Sequence, residues 1–391
     1  MFKKAKDNYS SYKEPHLFGR FLPPQNLLDC IERLPAIFEA SKIGNSVLQA
    51  SIYLIKVGTG NTRILGWSQM HGNETTTTKA LFDFFRFLSC ESKEVKTLLN
   101  TFTFYFIPVL NPDGTSVYSR YNALDIDLNR DARVQTQPET QCLMHIYKTL
   151  NPDLCLNLHD QRSIYGFLNG KSAALSFLAP AANASRSLTI SRKHAMQRIS
   201  GISSMLEDDY GDFLGRYDDT YNPNCVGDHF QKLKTPTILI EAGHYPGDYN
   251  REHTRKIVFL ALVALCETYF KEFSEKPYNK LPENQKNYCD VLIRNVKRHT
   301  KSEAYLCNVA IQFEEVLKQK TILWQPYVSK INKIDKEKAH SALIFGHNEI
   351  DVNSLSIQIN GKSKWDLDTQ IEYIKTSEGD AIQLFLDDNM L

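Results

Sequence analysis

Residues 101–114 read TFTFYFIPVLNPDG. The first ten are almost continuously apolar and run into Asn-Pro and Asp-Gly, which form turns. A half-buried strand alternates apolar with polar residues; a strand covered on both faces does not. The run therefore reads as a strand buried on both sides, which belongs in a sheet with helices above and below it. DLCLNLHD (153–160) and TPTILIEAG (235–243) repeat the pattern. SIYLIKV (51–57) and TRILGWSQ (62–69), joined by a Gly-rich turn at 58–61, add two strands. Helical patterns separate them: TTTTKALFDFFRFLSC (75–90), PETQCLMHIYKTL (138–150) and YNREHTRKIVFLALVALCETYFKEF (249–273). Residues 24–42 also carry helical spacing, interrupted by Pro35. The alternation predicts an α/β fold, with a mixed, largely parallel central sheet flanked by helices.

The chain has 391 residues, more than most single domains, so a second domain is expected. SEKPYNKLPENQKNYC (274–289) is polar and carries two prolines, as linkers do. Beyond it come short strand-like pieces: DVLIRNV (290–296), NVAIQFEEV (308–316), TILWQPYV (321–328), SLSIQI (354–359), IEYIKT (371–376) and AIQLFL (381–386). INGK (359–362) and SEGD (377–380) mark turns. The expected division is an α/β domain over 1–275 and a small strand-rich domain over 276–391.

A net charge of +1 disfavours a nucleic-acid or anionic-membrane partner. The first 21 residues have no apolar h-region, so no secretory signal is expected. IVFLALVAL (257–265) is too short to span a bilayer. The eight cysteines contain no Cys-x-x-Cys pair and read as reduced thiols. Together these predict a cytoplasmic chain.

In open α/β sheets, binding groups collect at the carboxyl ends of strands. His71, Asn111, His159 and Glu241 each stand at, or just after, a predicted strand end. His71 and Glu74, in GWSQMHGNET (66–75), are three apart, with Gly72 relieving crowding between them. Zinc favours imidazole nitrogens and a carboxylate, and a catalytic zinc keeps one position open. The distant ligand would be His159. Asp160 beside it points the other way along the strand and reads as structural or substrate-facing. Glu241 closes an apolar strand, where a charge is costly unless paired or functional. Burial would raise its pKa into the range of a general base; the bland alternative is a carboxylate paired with a core arginine. The turn-rich loop 111–133 carries Arg120, Arg130 and Arg133, whose planar forks suit carboxylates. Within it, DIDLNRD (125–131) alternates as a short strand would, and Asp127 could fix a metal-bound histidine.

Taken in order, HGNE (71–74), NPDG (111–114), Arg120 with Asn122 and Ala123, DLNRD (127–131), LNLH (156–159) and ILIEAG (238–243) resemble the zinc metallocarboxypeptidases, the carboxypeptidase A-like peptidases. The resemblance covers roughly residues 45–270. It implies one zinc ion per chain, held by His71, Glu74 and His159. It implies Glu241 as the base and Arg120 as the oxyanion stabiliser. Asn129 and Arg130 match the pair that grips the substrate's terminal carboxylate, and Asp127 matches the aspartate that orients the first zinc histidine. The substrate so implied is a peptide or small amide with a free carboxylate. The family's mobile tyrosine matches Tyr221 or Tyr217. Asp160 stands where the family often has Ser or Gly, and the loop between NPDG and DLNR is shorter than in digestive members. The aspartoacylase and succinylglutamate desuccinylase branch shares HGNE and DLNR-like segments, so an N-acyl amino acid deacylase is the nearest alternative. NPDG and the arginine spacing favour the carboxypeptidase. A binding module without catalysis is the third reading.

Overall fold

The structure is a computed structural model that describes residues 1–299, 304–332, 338–339, 349–351, 357–376 and 381–382. It divides into two compact units. The first holds residues 1–161, 173–243 and 250–284; the second holds 162–172, 244–249 and 285–391. The second unit thus takes in two short segments that follow, in the chain, the strands carrying His159 and Glu241.

The first unit is built on an eight-stranded sheet. Its strands are β1 (Phe38–Asn45), β2 (Ser51–Val57), β3 (Thr62–Trp67), β4 (Phe102–Ile107), β5 (Leu154–Asp160), β6 (Leu175–Leu178), β7 (Leu214–Arg216) and β8 (Thr237–Ala242). Their order is β1-β2-β4-β3-β5-β8-β6-β7. The four central strands, β4-β3-β5-β8, run parallel. β1 and β2 join one side antiparallel; β6 joins the other side antiparallel, with β7 parallel to it.

β4 is covered on both faces, as its composition requires. Phe102, Phe104 and Phe106 stack along one face, with centroids 5.5 and 5.9 Å apart. They meet Phe84 and Phe85 of helix Thr76–Leu88 at 5.6 and 5.7 Å. On the other face Ile107 joins a core with Leu65, Trp67, Leu143 and Phe230, against which Tyr105 also packs. Gly66 on β3 makes room for the phenylalanine stack: a methyl there would lie 2.6 Å from Phe106 Cε1.

Two local expectations are corrected. Residues 24–42 are not one interrupted helix: the helix covers Pro24–Glu32, and the chain beyond Pro35 becomes edge strand β1. That strand is mostly exposed, so it lacks the apolar alternation that would announce it. Residues Leu128–Arg130 form a 3-10 turn, not a strand; Leu128 alternates with polar neighbours because it alone enters the core.

Helix Glu252–Thr268 carries an ionic cluster at its start. Glu252 accepts from Lys79 at 2.5 Å and Arg255 at 3.1 Å, and pairs with Lys13 at 2.8 Å. Burial alone would raise its carboxyl, but Lys79 and Arg255 outweigh it and lower the pKa from 4.5 to about 2. A depressed acid stabilises the fold above its unfolded pKa, and the stabilisation is lost as pH falls through the folded one. The difference corresponds to about 3 kcal/mol. Glu252→Gln is therefore expected to cost about 3 kcal/mol at pH 7, shrinking towards zero near pH 2. Denaturant unfolding of both proteins at pH 7 and pH 3 measures this, and a cost independent of pH would refute it.

The second unit has a four-stranded sheet in the order Thr321–Asn332, Ala304–Lys318, Val291–His299, Glu349–Asp351. The first two pairings are antiparallel and the last is parallel. A second sheet joins Ile357–Ile359, Ile374–Thr376 and Ala381–Ile382 in antiparallel pairs. Val291, Ile293, Val309, Ile311, Val328 and Trp365 fill the core of this unit. Buried Asp290 accepts from Tyr249 Oη at 2.8 Å and from the Phe313 N–H at 2.7 Å. The expected turn at 377–380 and the strand residues 354–356 and 383–386 lie outside the described residues. Among the described residues no helix is long and apolar enough to cross a membrane.

Candidate active site

Chain pairing continues past the strand ends and sets the site. Beyond β3 and β4, the Leu110 N–H donates to Ser68 O at 3.1 Å and the Asn111 N–H to Gln69 O at 2.9 Å. Gln69 Nε2 then donates to Gly72 O and Thr115 Oγ1, both at 3.0 Å. Asn111 accepts the Gly114 N–H at 2.9 Å and donates to Met70 O at 3.2 Å. The HGNE loop therefore rests on the NPDG turn. Gly72 is required there: a methyl would lie 2.0 Å from Gly114 C.

The loop brings His71 and Glu74 to His159 at the end of β5. His71 Nδ1 lies 2.7 Å from Glu74 Oε1, and His159 Nδ1 lies 2.8 Å from Glu74 Oε2. The rings stand 4.9 Å apart, all three residues are buried, and one ligand atom from each falls within 4.8 Å of the others. Two imidazoles and a carboxylate are the donor set of a catalytic zinc site, so these residues fit the ion. Burial works against the Glu74 charge, but His71 and His159 outweigh it and hold the carboxyl below its usual range. Burial lowers His159 despite Glu74. His71 is raised, because Glu74 and Asp127 outweigh its burial.

Asp127 sits on the far nitrogen of His71, with Oδ1 3.0 Å from Nε2. The same oxygen accepts the Asn129 N–H at 2.8 Å, and Oδ2 accepts from Arg120 Nη2 at 3.0 Å. Arg120 Nη1 also reaches Glu74 Oε1 at 3.4 Å. Glu241 on β8 is in register with His159 on β5. Burial, reinforced by the Glu74 and Asp160 carboxylates, holds its carboxyl well above the ordinary value, with Arg120 opposing. Among the described residues Glu241 makes no ion pair, so the structural reading of a core Glu–Arg pair does not describe it.

Asn129 Oδ1 accepts the Val226 N–H at 3.0 Å, which ties the DLNR turn to the start of helix Val226–Lys232. Arg130 Nη1 donates to Asn129 O at 2.8 Å and lies 3.2 Å from Cys225 Sγ. Tyr221 lies half-buried in the irregular segment after β7, and no hydrogen bond or ion pair among the described residues joins it to the cluster. Asp160 turns away from the triad, as expected, and pairs with Arg20 at 3.0 Å. It accepts the Thr76 hydroxyl at 2.6 Å and the Thr76 N–H at 3.0 Å, capping the helix that follows Glu74. Its own N–H donates to Glu74 Oε2 at 3.1 Å. Sequence reasoning missed Arg20, because nothing local marks a partner 140 residues away.

A family profile described as zinc carboxypeptidase matches residues 25–225, stopping short of Glu241. Human carboxypeptidase D is 30% identical over 152 residues, 32% of this chain and 11% of that protein. Carboxypeptidase 2 of Trichophyton rubrum is 26% identical over 96 residues, 24% of this chain and 18% of that protein. The chain thus spans a minor part of the length of these relatives. Among solved structures, a metallo-carboxypeptidase from Burkholderia cenocepacia shares the fold, with a TM-score of 0.51 at 14% identity, covering 64% of this chain and 71% of that one.

Proposed function

Because the chain belongs to the zinc carboxypeptidase family, we propose that it is a zinc-dependent carboxypeptidase, hydrolysing the amide bond next to a free C-terminal carboxylate. The observation that carries this reading is the buried His71–Glu74–His159 cluster with Glu241, which makes no ion pair among the described residues, in register beside it. One zinc ion per chain, held by those three residues, would supply the Lewis acid that acidifies a water and polarises the scissile carbonyl. Glu241 takes the proton of the attacking water and returns it to the leaving amine nitrogen, work that suits a carboxyl held well above the ordinary carboxylate range by burial. Arg120, tethered by Asp127, donates to the developing oxyanion. Asn129 and Arg130 hold the terminal carboxylate, which makes cleavage exopeptidic. Asp127 holds Nε2 of His71, which would leave Nδ1 as the nitrogen free to hold the ion. Tyr221 is the substrate-facing tyrosine in this reading. All eight cysteines are free thiols, which supports a reducing compartment such as the cytoplasm.

The test is hydrolysis of a peptide panel, with N-acyl amino acids beside it, before and after chelation. Release of C-terminal residues that stops on chelation and returns with zinc is expected. Cleavage unchanged by metal removal would sink the zinc assignment. Cleavage of N-acyl amino acids alone would assign the deacylase instead.

A further inference from the structure

Arg20 lies between helix Tyr9–Tyr12 and helix Pro24–Glu32 and is buried, at 6% exposure. Its Nη1 donates to Asp160 Oδ2 at 3.0 Å and to Thr76 Oγ1 at 2.8 Å. Its carbonyl oxygen accepts the Thr75 hydroxyl at 2.6 Å. Thr75 and Thr76 are the two residues after Glu74, and Asp160 is the residue after His159. One arginine near the start of the chain therefore reaches the residues that flank two of the three candidate metal ligands.

Asp160 holds Glu74 from two directions. Its N–H donates to Glu74 Oε2 at 3.1 Å, the oxygen that also lies 2.8 Å from His159 Nδ1. Its carboxylate accepts the Thr76 hydroxyl at 2.6 Å, the Thr76 N–H at 3.0 Å and the Thr77 N–H at 3.4 Å. These bonds fix the first turn of helix Thr76–Leu88, where free N–H groups and the helix dipole favour a carboxylate. One residue thus anchors both the carboxyl end of the Glu74 side chain and the backbone next to it. Asp160 is buried, and a buried charge without a partner is costly. Arg20 supplies the opposite charge, and its contact with Thr76 ties the pair to the same helix turn.

We propose that Arg20 is a positioning residue for the metal site: through Asp160 and Thr76 it fixes the Glu74 carboxylate between His71 and His159, and so raises the affinity for zinc. The inference rests on the zinc reading of this cluster. An outer partner that fixes a ligand's orientation in advance lowers the freedom lost when the ion binds. A pair that only fastened the N-terminal segment would change the stability of the fold and leave zinc affinity unmoved.

The test is the zinc dissociation constant of the full chain, measured by competition with a chromophoric chelator, with circular dichroism to confirm that each protein is folded. Arg20→Ala is expected to weaken zinc binding about 10- to 100-fold, as the loss of an outer partner does. Arg20→Lys, which keeps a cation beside Asp160, is expected to lose less. Leu98→Ala, a cavity in the buried face of helix Lys93–Thr101, lowers stability and is expected to bind zinc as the wild type does. Should Arg20→Ala fail to fold for want of a partner to Asp160, Arg20→Met combined with Asp160→Asn removes both charges together, and the same weakening is expected of it. Wild-type zinc affinity in a folded variant that lacks the Arg20 guanidinium and any cation in its place overturns the positioning role alone. So does an equal loss in Leu98→Ala, which would assign the effect to stability. A wild type that binds no zinc overturns the zinc assignment and this role with it.

Discussion

Replacing Glu241 by glutamine is expected to lower kcat/KM roughly 100- to 10,000-fold while zinc content stays unchanged. Glutamine keeps the shape of the side chain but cannot accept the water proton or return it to the amine. The effect should fall on kcat, because no described contact makes Glu241 a holder of His71, Glu74 or His159; it stands beside His159 only through the β5–β8 register. It forms no ion pair among the described residues, so the substitution strands no partner charge and should leave the fold intact. Steady-state kinetics on the best peptide of the panel, with elemental analysis of both proteins, measures this. Turnover that survives at the wild-type rate would reassign the base. A wild-type protein that binds zinc and cleaves nothing would favour the binding-module reading.

The second large effect is on the metal. His159→Ala is expected to weaken zinc binding more than about 100-fold, since losing an outer partner of a ligand alone costs 10- to 100-fold. Asp127→Ala, which frees Nε2 of His71, supplies that milder comparison. Two residues are left in His159→Ala to hold an ion that needs three protein ligands. Zinc content after dialysis should fall well below one per chain in His159→Ala and remain partial in Asp127→Ala. Added zinc should raise the melting temperature of the wild type, because a ligand that binds only the native state stabilises it, and should not raise that of His159→Ala. Equal zinc retention in wild type and His159→Ala would remove His159 from the site.

Much of the fold and of the site is legible in the order of the residues. Runs such as TFTFYFIPVL and TILIEA announce strands buried on both faces, because burial on two sides erases alternation. The elements that escape such a reading are short or exposed. Edge strand β1 buries little, β6 spans only Leu175–Leu178, and the DLNR turn mimics a strand because one leucine enters the core.

By itself, the sequence determined the chemistry that is local along the chain: a His and a Glu three apart at one strand end, a His closing another and a Glu closing a third. Each follows from residue type and strand period alone. Only the tertiary structure decided what depends on neighbours distant in the chain. The Arg20–Asp160 pair and the tether from Arg120 to Asp127 are of that kind. The physical reason is that burial and hydrogen bonding belong to the space around an atom. For Asp160 that space is filled by a residue 140 positions away.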